Sequence, residues 1–69
     1  MIRQAVQSSN IKSVGYDPDT KGLEIEFING GVYQYMDVPE TVHSELIQAE
    51  SKGSYFQANI WDRYVTKRI

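Results

Sequence analysis

The sequence contains no cysteine, so neither disulfide bonds nor a thiolate zinc site can contribute to its stability. With 69 residues it is close to the smallest length at which one hydrophobic core is stable without such cross-links. Length therefore excludes a second domain, and we expect residues 1–69 to form a single domain whose ends, 1–8 and 65–69, are frayed. Burial of the 41% of hydrophobic residues has to supply the stability.

Long apolar runs are also missing. The chain begins Met1-Ile2-Arg3-Gln4 without an apolar stretch of signal-peptide length, and no later run is long enough to cross a bilayer. We therefore expect a cytoplasmic protein that does not contact a membrane.

Positive charge is scarce, with a formal net charge of −2 and a sequence pI of about 5.2. This balance argues against a protein that coats nucleic acid by bulk electrostatics. The charge is nevertheless uneven: residues 1–59 carry four bases against eight acids, whereas residues 60–69 carry three bases against one acid. The basic residues of this C-terminal segment, either a solvated tail or phosphate-binding groups, are Arg63, Lys67 and Arg68.

The first half of the chain has the patterns of extended structure. Strand-forming residues from Ile11 to Tyr16 precede a segment, 17–22, that is dense in turn residues. The stretch 23–27 then alternates apolar and charged residues, which places one set on each face of a strand. Asn29-Gly30 is a strong hairpin signal, and a third strand over 32–38 is expected to end at Pro39.

Two helices are predicted after Pro39. Val42, Leu46 and Ala49 recur at spacings of four and three, which is typical of an amphipathic helix. Gly53 is expected to end this helix, and Ser54 to cap a second, shorter one. The predicted fold is α+β: a three-stranded antiparallel β-meander followed by one longer and one shorter helix packed on one face. The second helix would carry its apolar side chains at Phe56, Ile60 and Tyr64.

The loop between the second and third strands leaves two registers open. A two-residue loop, Asn29-Gly30, places Gln34 opposite Ile25 and turns both neighbouring tyrosines to the open face. A three-residue loop over 29–31 instead pairs Phe27 with Tyr33 and Ile25 with Tyr35, so that both rings face the core. The second register is preferred, because an unpaired glutamine in a small core costs about 1–3 kcal/mol.

Residues with the spacing of an active site are not found. His43 is the only histidine and is interpreted as a surface or rim residue. Glu24 and Glu26 share a strand face, but alternating glutamates are typical of the solvent side of an amphipathic strand. We therefore predict no catalytic residue, no metal site and no cofactor, and we expect that the protein is not an enzyme.

Taken together, an ordered set of residues resembles the KTSC domain family, which is named for the C-terminus of some lysyl-tRNA synthetases. The resemblance covers nearly all of 8–64 and implies the same small fold, seen also in stand-alone bacterial and phage proteins. It implies no catalytic residues, and a role in RNA binding is suggested for the family from its attachment to a synthetase. The residues that carry it are Ser9-Asn10-Ile11, Val14-Gly15-Tyr16-Asp17, Leu23, Ile25, Phe27, Gly30, Tyr33-Gln34-Tyr35, Val38-Pro39, Leu46, Ala49, Ser51, Gly53, Tyr55, Phe56 and Ile60.

Two kinds of function remain open for a non-catalytic domain of this size. The first is a protein-interaction module that uses a sheet edge or an aromatic patch. The alternative is an RNA-binding accessory domain that uses the C-terminal basic residues and stacks bases on tyrosines. In either case we expect a monomer or weak dimer. For Tyr55, Phe56 and Trp61, core and rim packing is preferred over a binding role, because a domain this small needs its large aromatic residues for burial. The candidate ligand-binding residues are Tyr33, Tyr35, Tyr55, Trp61, Arg63, Lys67 and Arg68.

Overall fold

The computed structural model describes residues 2–69, in which consecutive strands form one antiparallel sheet with neighbours in sequence order. Helices α1 (Glu40–Gln48) and α2 (Lys52–Asn59) lie in the chain between the last two strands. The α+β class is confirmed, but the prediction of three strands is wrong, because these residues form five. The strands are β1 (Arg3–Ala5), β2 (Ile11–Asp17), β3 (Gly22–Phe27), β4 (Val32–Tyr35) and β5 (Thr66–Arg68).

The two additional strands lie in the segments that were expected to fray. β1 pairs with β2, with Arg3 opposite Gly15, and β5 pairs with β4, with Arg68 opposite Tyr33. Each is three residues long, which is too short for an alternating pattern to identify a strand in the sequence. They therefore form the two edges of the sheet through pairing with strands that the sequence does identify.

Strand β2 contains an irregularity that explains its unusual apolar spacing. Ile11 and Val14 are both buried although they lie three residues apart, whereas a regular strand turns such residues to opposite faces. Ile11 pairs with Phe27 and Ser13 with Glu26, so one extra residue is inserted on β2 as a β-bulge. The bulge lets both apolar side chains reach the face covered by the helices, here called the core face.

The β3–β4 hairpin has a three-residue loop, but not the one predicted. Glu26 pairs with Val32, and the Phe27 N–H donates to the Gly31 carbonyl at 2.8 Å, so the loop consists of residues 28–30. Gly30 has φ of +102°, in the left-handed region that a side chain disfavours. The turn therefore starts one residue earlier than expected because Gly30 takes the left-handed position.

This register places Tyr33 opposite Ile25 and Tyr35 opposite Leu23. The predicted pairs, Phe27 with Tyr33 and Ile25 with Tyr35, are wrong by two residues. A shift of two leaves every side chain on the same face, so both tyrosines lie on the core face as predicted.

The helices differ from the sequence prediction mainly at α2. Its N-cap is Ser51, whose Oγ accepts a hydrogen bond from the Ser54 N–H at 3.3 Å, so Ser54 is not the cap. Gly53 was predicted to end α1 but lies buried within α2, where an added Cβ would meet Asn10 Nδ2 at 3.0 Å. Across residues 2–69, neither helix is both long and apolar enough to span a bilayer.

Side chains from the core face and both helices form one core. The sheet contributes residues of β2, β3 and β4, and the helical region contributes residues before, within and just after the helices. All are less than a tenth exposed, which agrees with the period-two and period-four apolar patterns. The buried members are Ile11, Val14, Leu23, Ile25, Tyr35, Val38, Leu46, Phe56 and Ile60.

The other side of the sheet, the open face, is less solvated than predicted. Glu24 is only 7% exposed and forms an ion pair and hydrogen bond with Arg3 of β1. Glu26 accepts a hydrogen bond from Ser13 Oγ at 3.0 Å and lies 4.0 Å from Arg3 Nε. The expectation of a plain solvent-facing pair is therefore wrong for Glu24, because the unpredicted strand β1 brings Arg3 across it.

Candidate aromatic groove

A groove opens on the core face between strands β4 and β5 and the C-terminal part of α2. Its volume is about 590 Å³, and its lining combines aromatic rings with the polar side chains of Asn29, Gln57, Asp62 and Thr66. The helix ends at Asn59, so the chain around Trp61 and Asp62 passes over the groove as a turn and not as the helix that was expected. The residues that define this aromatic groove are Phe27, Asn29, Tyr33, Tyr35, Phe56, Gln57, Trp61, Asp62, Tyr64 and Thr66.

The floor of the groove is a chain of ring contacts. Phe56 meets Phe27 edge to face with ring centroids 5.3 Å apart, and it meets Tyr35 in the same way at 5.7 Å. Phe27 in turn contacts the ring of Tyr33 at 5.8 Å and 72°. Perpendicular contacts of this kind fix each ring against the next. The floor is therefore a preformed apolar surface.

Two tyrosines of the floor differ in their exposure. Tyr35 is only 3% exposed, and burial raises the pKa of its hydroxyl to about 12, with Tyr33 adding to the increase. Tyr33 is half-buried and presents part of its ring. Tyr35 therefore serves the core and stays protonated at neutral pH, while Tyr33 provides contact surface.

Trp61 forms the rim of the groove. Its side chain is 60% exposed, whereas most other aromatic rings of the domain pack into or against the core. Tryptophan supplies a large rigid contact surface at a small cost in conformational entropy. An exposed tryptophan beside a concave apolar floor is a typical feature of a binding site.

Basic residues approach the groove from β5. The guanidinium carbon of Arg68 lies 5.8 Å from the centroid of the Tyr33 ring, within the range of a cation–π contact. Lys67 pairs with Gln34 and so lies on the open face, away from the rings. Arg63 is exposed in the turn that follows Trp61. Only Arg68 of the three predicted basic residues therefore contacts an aromatic ring of the groove.

Tyr55 lies outside the groove. Its hydroxyl donates to Glu45 Oε1 at 2.6 Å, which joins α2 to α1. Burial and this hydrogen bond raise the pKa of Tyr55 to about 12. The predicted ligand-binding set is therefore divided: Tyr33, Tyr35 and Trp61 line the groove, and Tyr55 links the helices.

A second cavity of about 440 Å³ continues the groove toward the loop before β2. The two share Phe27, Asn29, Phe56 and Gln57. Asn10 and Ser9 line the far end, so side-chain amides become more frequent in this direction. Sequence reasoning missed these amides, because Asn29 was fully explained by turn formation and its Oδ1 does accept the Gly31 N–H at 3.1 Å.

His43 lies outside the groove, whose lining contains one carboxylate, that of Asp62. His43, expected at the surface or the rim, is half-buried in α1 and stacks on Tyr16 with ring centroids 4.7 Å apart. Burial lowers the pKa of His43, and the charge of Glu40 opposes this shift. Within residues 2–69 no three His, Cys, Asp or Glu side chains are grouped as metal ligands would be. The lining of the groove therefore combines aromatic rings and side-chain amides with a single carboxylate.

Comparisons with known proteins agree with this architecture. A family model described as "KTSC domain" matches residues 7–64. An uncharacterized protein of Stutzerimonas stutzeri is 46% identical over 56 residues, which are 81% of this chain and 79% of that protein. A lysine–tRNA ligase of Nostoc sp. is 48% identical over 63 residues, 91% of this chain but 11% of the ligase. The crystal structure of a KTSC domain protein from Yersinia pestis superimposes with a TM-score of 0.97 at 46% identity, covering 99% of this chain and 96% of that one.

Proposed function

This chain belongs to the KTSC domain family, and from that premise we infer that it is a non-catalytic binding module whose aromatic groove receives a segment of a partner protein. The observation that carries this proposal is the pairing of the exposed Trp61 with a preformed apolar floor. The floor is preorganised by perpendicular ring contacts, so little order has to be gained on binding.

The exposure of Trp61 has an energetic consequence. Covering apolar surface is worth about 25 cal/mol per Å², so a partner that buries this ring gains a large part of its affinity from one side chain. Most remaining large rings already pack in or against the core, as a domain of 69 residues requires. The ring at the rim is available to a partner in a way that the others are not.

RNA binding is a second candidate, favoured by a specific arrangement. Arg68 stands over the Tyr33 ring, and the amides of Asn29 and Gln57 line the groove, where a stacked base would present its edge to them. Relatives of this chain include lysine–tRNA ligases, of which it spans about a tenth. The open sheet face offers no tyrosine platform, since Tyr33 and Tyr35 lie on the core face.

The experiment that tests both candidates is an NMR titration of the ¹⁵N-labelled protein. Extended peptides selected from a random display library are added in one series, and single-stranded RNA oligomers in another, each at low and at high salt. The proposal expects peptide-induced shifts at the Trp61 indole and at groove amides, largely retained at high salt. RNA binding would instead weaken steeply as salt increases.

A matched pair of variants localises the binding. Trp61→Ala should abolish the peptide-induced shifts, whereas Val65→Ala removes another exposed apolar side chain, 74% exposed, and should leave them unchanged. The proposal is wrong if no selected peptide shifts the groove residues, or if Trp61→Ala binds as tightly as the original chain.

A further inference from the structure

Strand β5 presents a free backbone edge beside the aromatic groove. Met36 N–H donates to the Val65 carbonyl at 2.9 Å, and Ile69 N–H donates to the Val32 carbonyl at 3.0 Å. Hydrogen-bonded pairs alternate along an antiparallel ladder, so Lys67 also faces β4, while Thr66 and Arg68 direct their N–H and C=O groups away from the sheet. In the part of the chain that the structure describes, no strand pairs with this edge.

The side chains of β5 alternate between the two faces of the sheet. Thr66 and Arg68 pair with Tyr35 and Tyr33, and so they point to the groove side. Lys67 lies on the open face between them. A strand added to this edge would therefore place alternate side chains beside the groove, and one of these positions lies next to Thr66 at the groove lining.

The positive charge of the β5 edge favours an added strand with acidic side chains. The ion pairs found within residues 2–69 both involve Arg3 of β1, so the basic side chains of β5 have no carboxylate partner there. At the opposite edge, Arg3 is already paired with Glu24 and Glu26. A second copy of this chain fits poorly, because an antiparallel β5–β5 pairing centred on Lys67 would bring like charges together.

We propose that β5 binds an extended acidic segment of a partner protein as a sixth strand of the sheet, which rests on the binding role proposed for the groove. Acidic residues of the segment lie opposite Lys67 and Arg68, and an aromatic residue lies opposite Thr66, where it enters the groove beside Trp61. Backbone hydrogen bonds to Thr66 and Arg68 hold the segment, and its side chains give selectivity.

The test uses two capped heptapeptides, Thr-Val-Glu-Glu-Phe-Val-Thr for an antiparallel strand and Thr-Val-Phe-Glu-Glu-Val-Thr for a parallel one. Titration is followed by ¹⁵N NMR and by amide hydrogen exchange. One of the two peptides should slow exchange at the Thr66 and Arg68 amides and shift the Trp61 indole. Failure of both peptides to protect these amides overturns the proposal.

Backbone N-methylation separates edge pairing from simple groove binding. Alternate N–H groups of a paired strand point toward β5, so methylating that set should weaken binding about tenfold or more, while methylating the intervening set has little effect. If Trp61→Ala abolishes binding but both methylated sets bind equally, the groove function stands and the sixth strand is wrong. If neither heptapeptide binds but library-selected peptides still shift the Trp61 indole, the sixth strand is wrong and the groove function stands; the groove function fails only if those selected peptides also leave the groove residues unshifted.

Charge reversal supplies a matched control. The double variant Lys67→Glu with Arg68→Glu should weaken the acidic peptides by about tenfold, mainly through slower association at low salt. The double variant Lys12→Glu with Lys21→Glu changes the net charge equally at exposed sites elsewhere, and its affinity should stay close to that of the original chain. Equal weakening of peptide affinity in both double variants would contradict a specific role for the basic edge. Slower amide exchange at Thr66 and Arg68 that grows with protein concentration, without peptide, would also contradict the proposal, because it indicates a second copy of the chain at β5.

Discussion

The two helices cover the sheet differently. Leu46 of α1 and Val38 just before this helix are fully buried, and the Tyr16 hydroxyl donates to the Val38 carbonyl at 2.5 Å. The Tyr16 ring stacks on His43 at an interplanar angle of 9°. Beyond the end of α2, in contrast, the rings form the floor of an open groove, and Trp61 stands 60% exposed at its rim.

Aromatic residues therefore have two roles in this small domain. At the α1 part of the interface, the Tyr16 ring packs against its neighbours and its hydroxyl donates to a backbone carbonyl, so this hydroxyl already has a hydrogen-bond partner within the domain. At the α2 part, Tyr33 and Trp61 keep surface that no other group of the described chain covers. The stability of the domain and the binding proposed for the groove should therefore respond to different substitutions.

The largest effect is expected at the residue that supports the groove floor. Phe56→Ala should cost about 3–5 kcal/mol of unfolding free energy, because it leaves a cavity among Phe27, Tyr35 and the core. Such a loss is enough to unfold a domain of this size, as urea denaturation followed by circular dichroism would reveal. Phe56→Leu, which retains most of the volume, should remain folded, and an unchanged midpoint for the alanine variant would refute this account.

A smaller effect is expected at the α1 part. Tyr16→Phe removes the hydrogen bond to the Val38 carbonyl but keeps the ring on His43, and it should cost about 0.5–1.5 kcal/mol. The same denaturation experiment measures this difference. A loss as large as that of Phe56→Ala would mean that the hydroxyl organises more of the interface than its single contact indicates.

His43 should make stability dependent on pH. Its pKa is lowered in the folded protein, chiefly by burial, so as pH falls through about 6.5 the unfolded chain takes up a proton before the folded one does. The free energy of unfolding should therefore decrease on acidification from pH 7 to pH 5, and His43 should add no pH dependence above that range. His43→Phe keeps a ring beside Tyr16 and should flatten this part of the profile, whereas an equal slope in the variant would assign the effect to other groups.

The smallest change in stability is expected at the groove rim. Trp61→Ala should alter the unfolding free energy by no more than about 0.5 kcal/mol, because most of the ring is in solvent. If it destabilises the protein by several times that amount, Trp61 belongs to the packing of the domain and the contrast between the two parts of the interface is lost.

Local patterns predicted the central strands and α1 because each carries enough residues for a period to appear. The edge strands escaped prediction since three residues contain no period, and they exist only through pairing with β2 and β4. The hairpin register depended on which glycine takes a positive φ, and two adjacent glycines gave equal local signals. Glu24 was assigned to solvent because nothing near it in sequence reveals that Arg3 crosses above it.

The groove was predicted only in part for a related reason. Tyr33, Tyr35 and Trp61 were selected as rings, and the fold brings them together although 26 positions separate Tyr35 from Trp61 in the sequence. Asn10 carried the family resemblance but no signal of a binding site, and neither did Gln57, because a single amide on a loop or a helix is unremarkable until its neighbours in space are known. Basic residues that adjoin in sequence, Lys67 and Arg68, point to opposite faces of β5.

The close approach of Gly53 to Asn10 has a consequence for the shape of the second cavity. With only hydrogen on this α-carbon, the first turn of α2 sits directly against the loop before β2, and an added Cβ would meet Asn10 Nδ2 at 3.0 Å. A larger residue here would have to displace the Asn10 side chain, which lines the second cavity together with Phe56. The shape of this end of the cavity is thus tied to a helical position that carries no side chain.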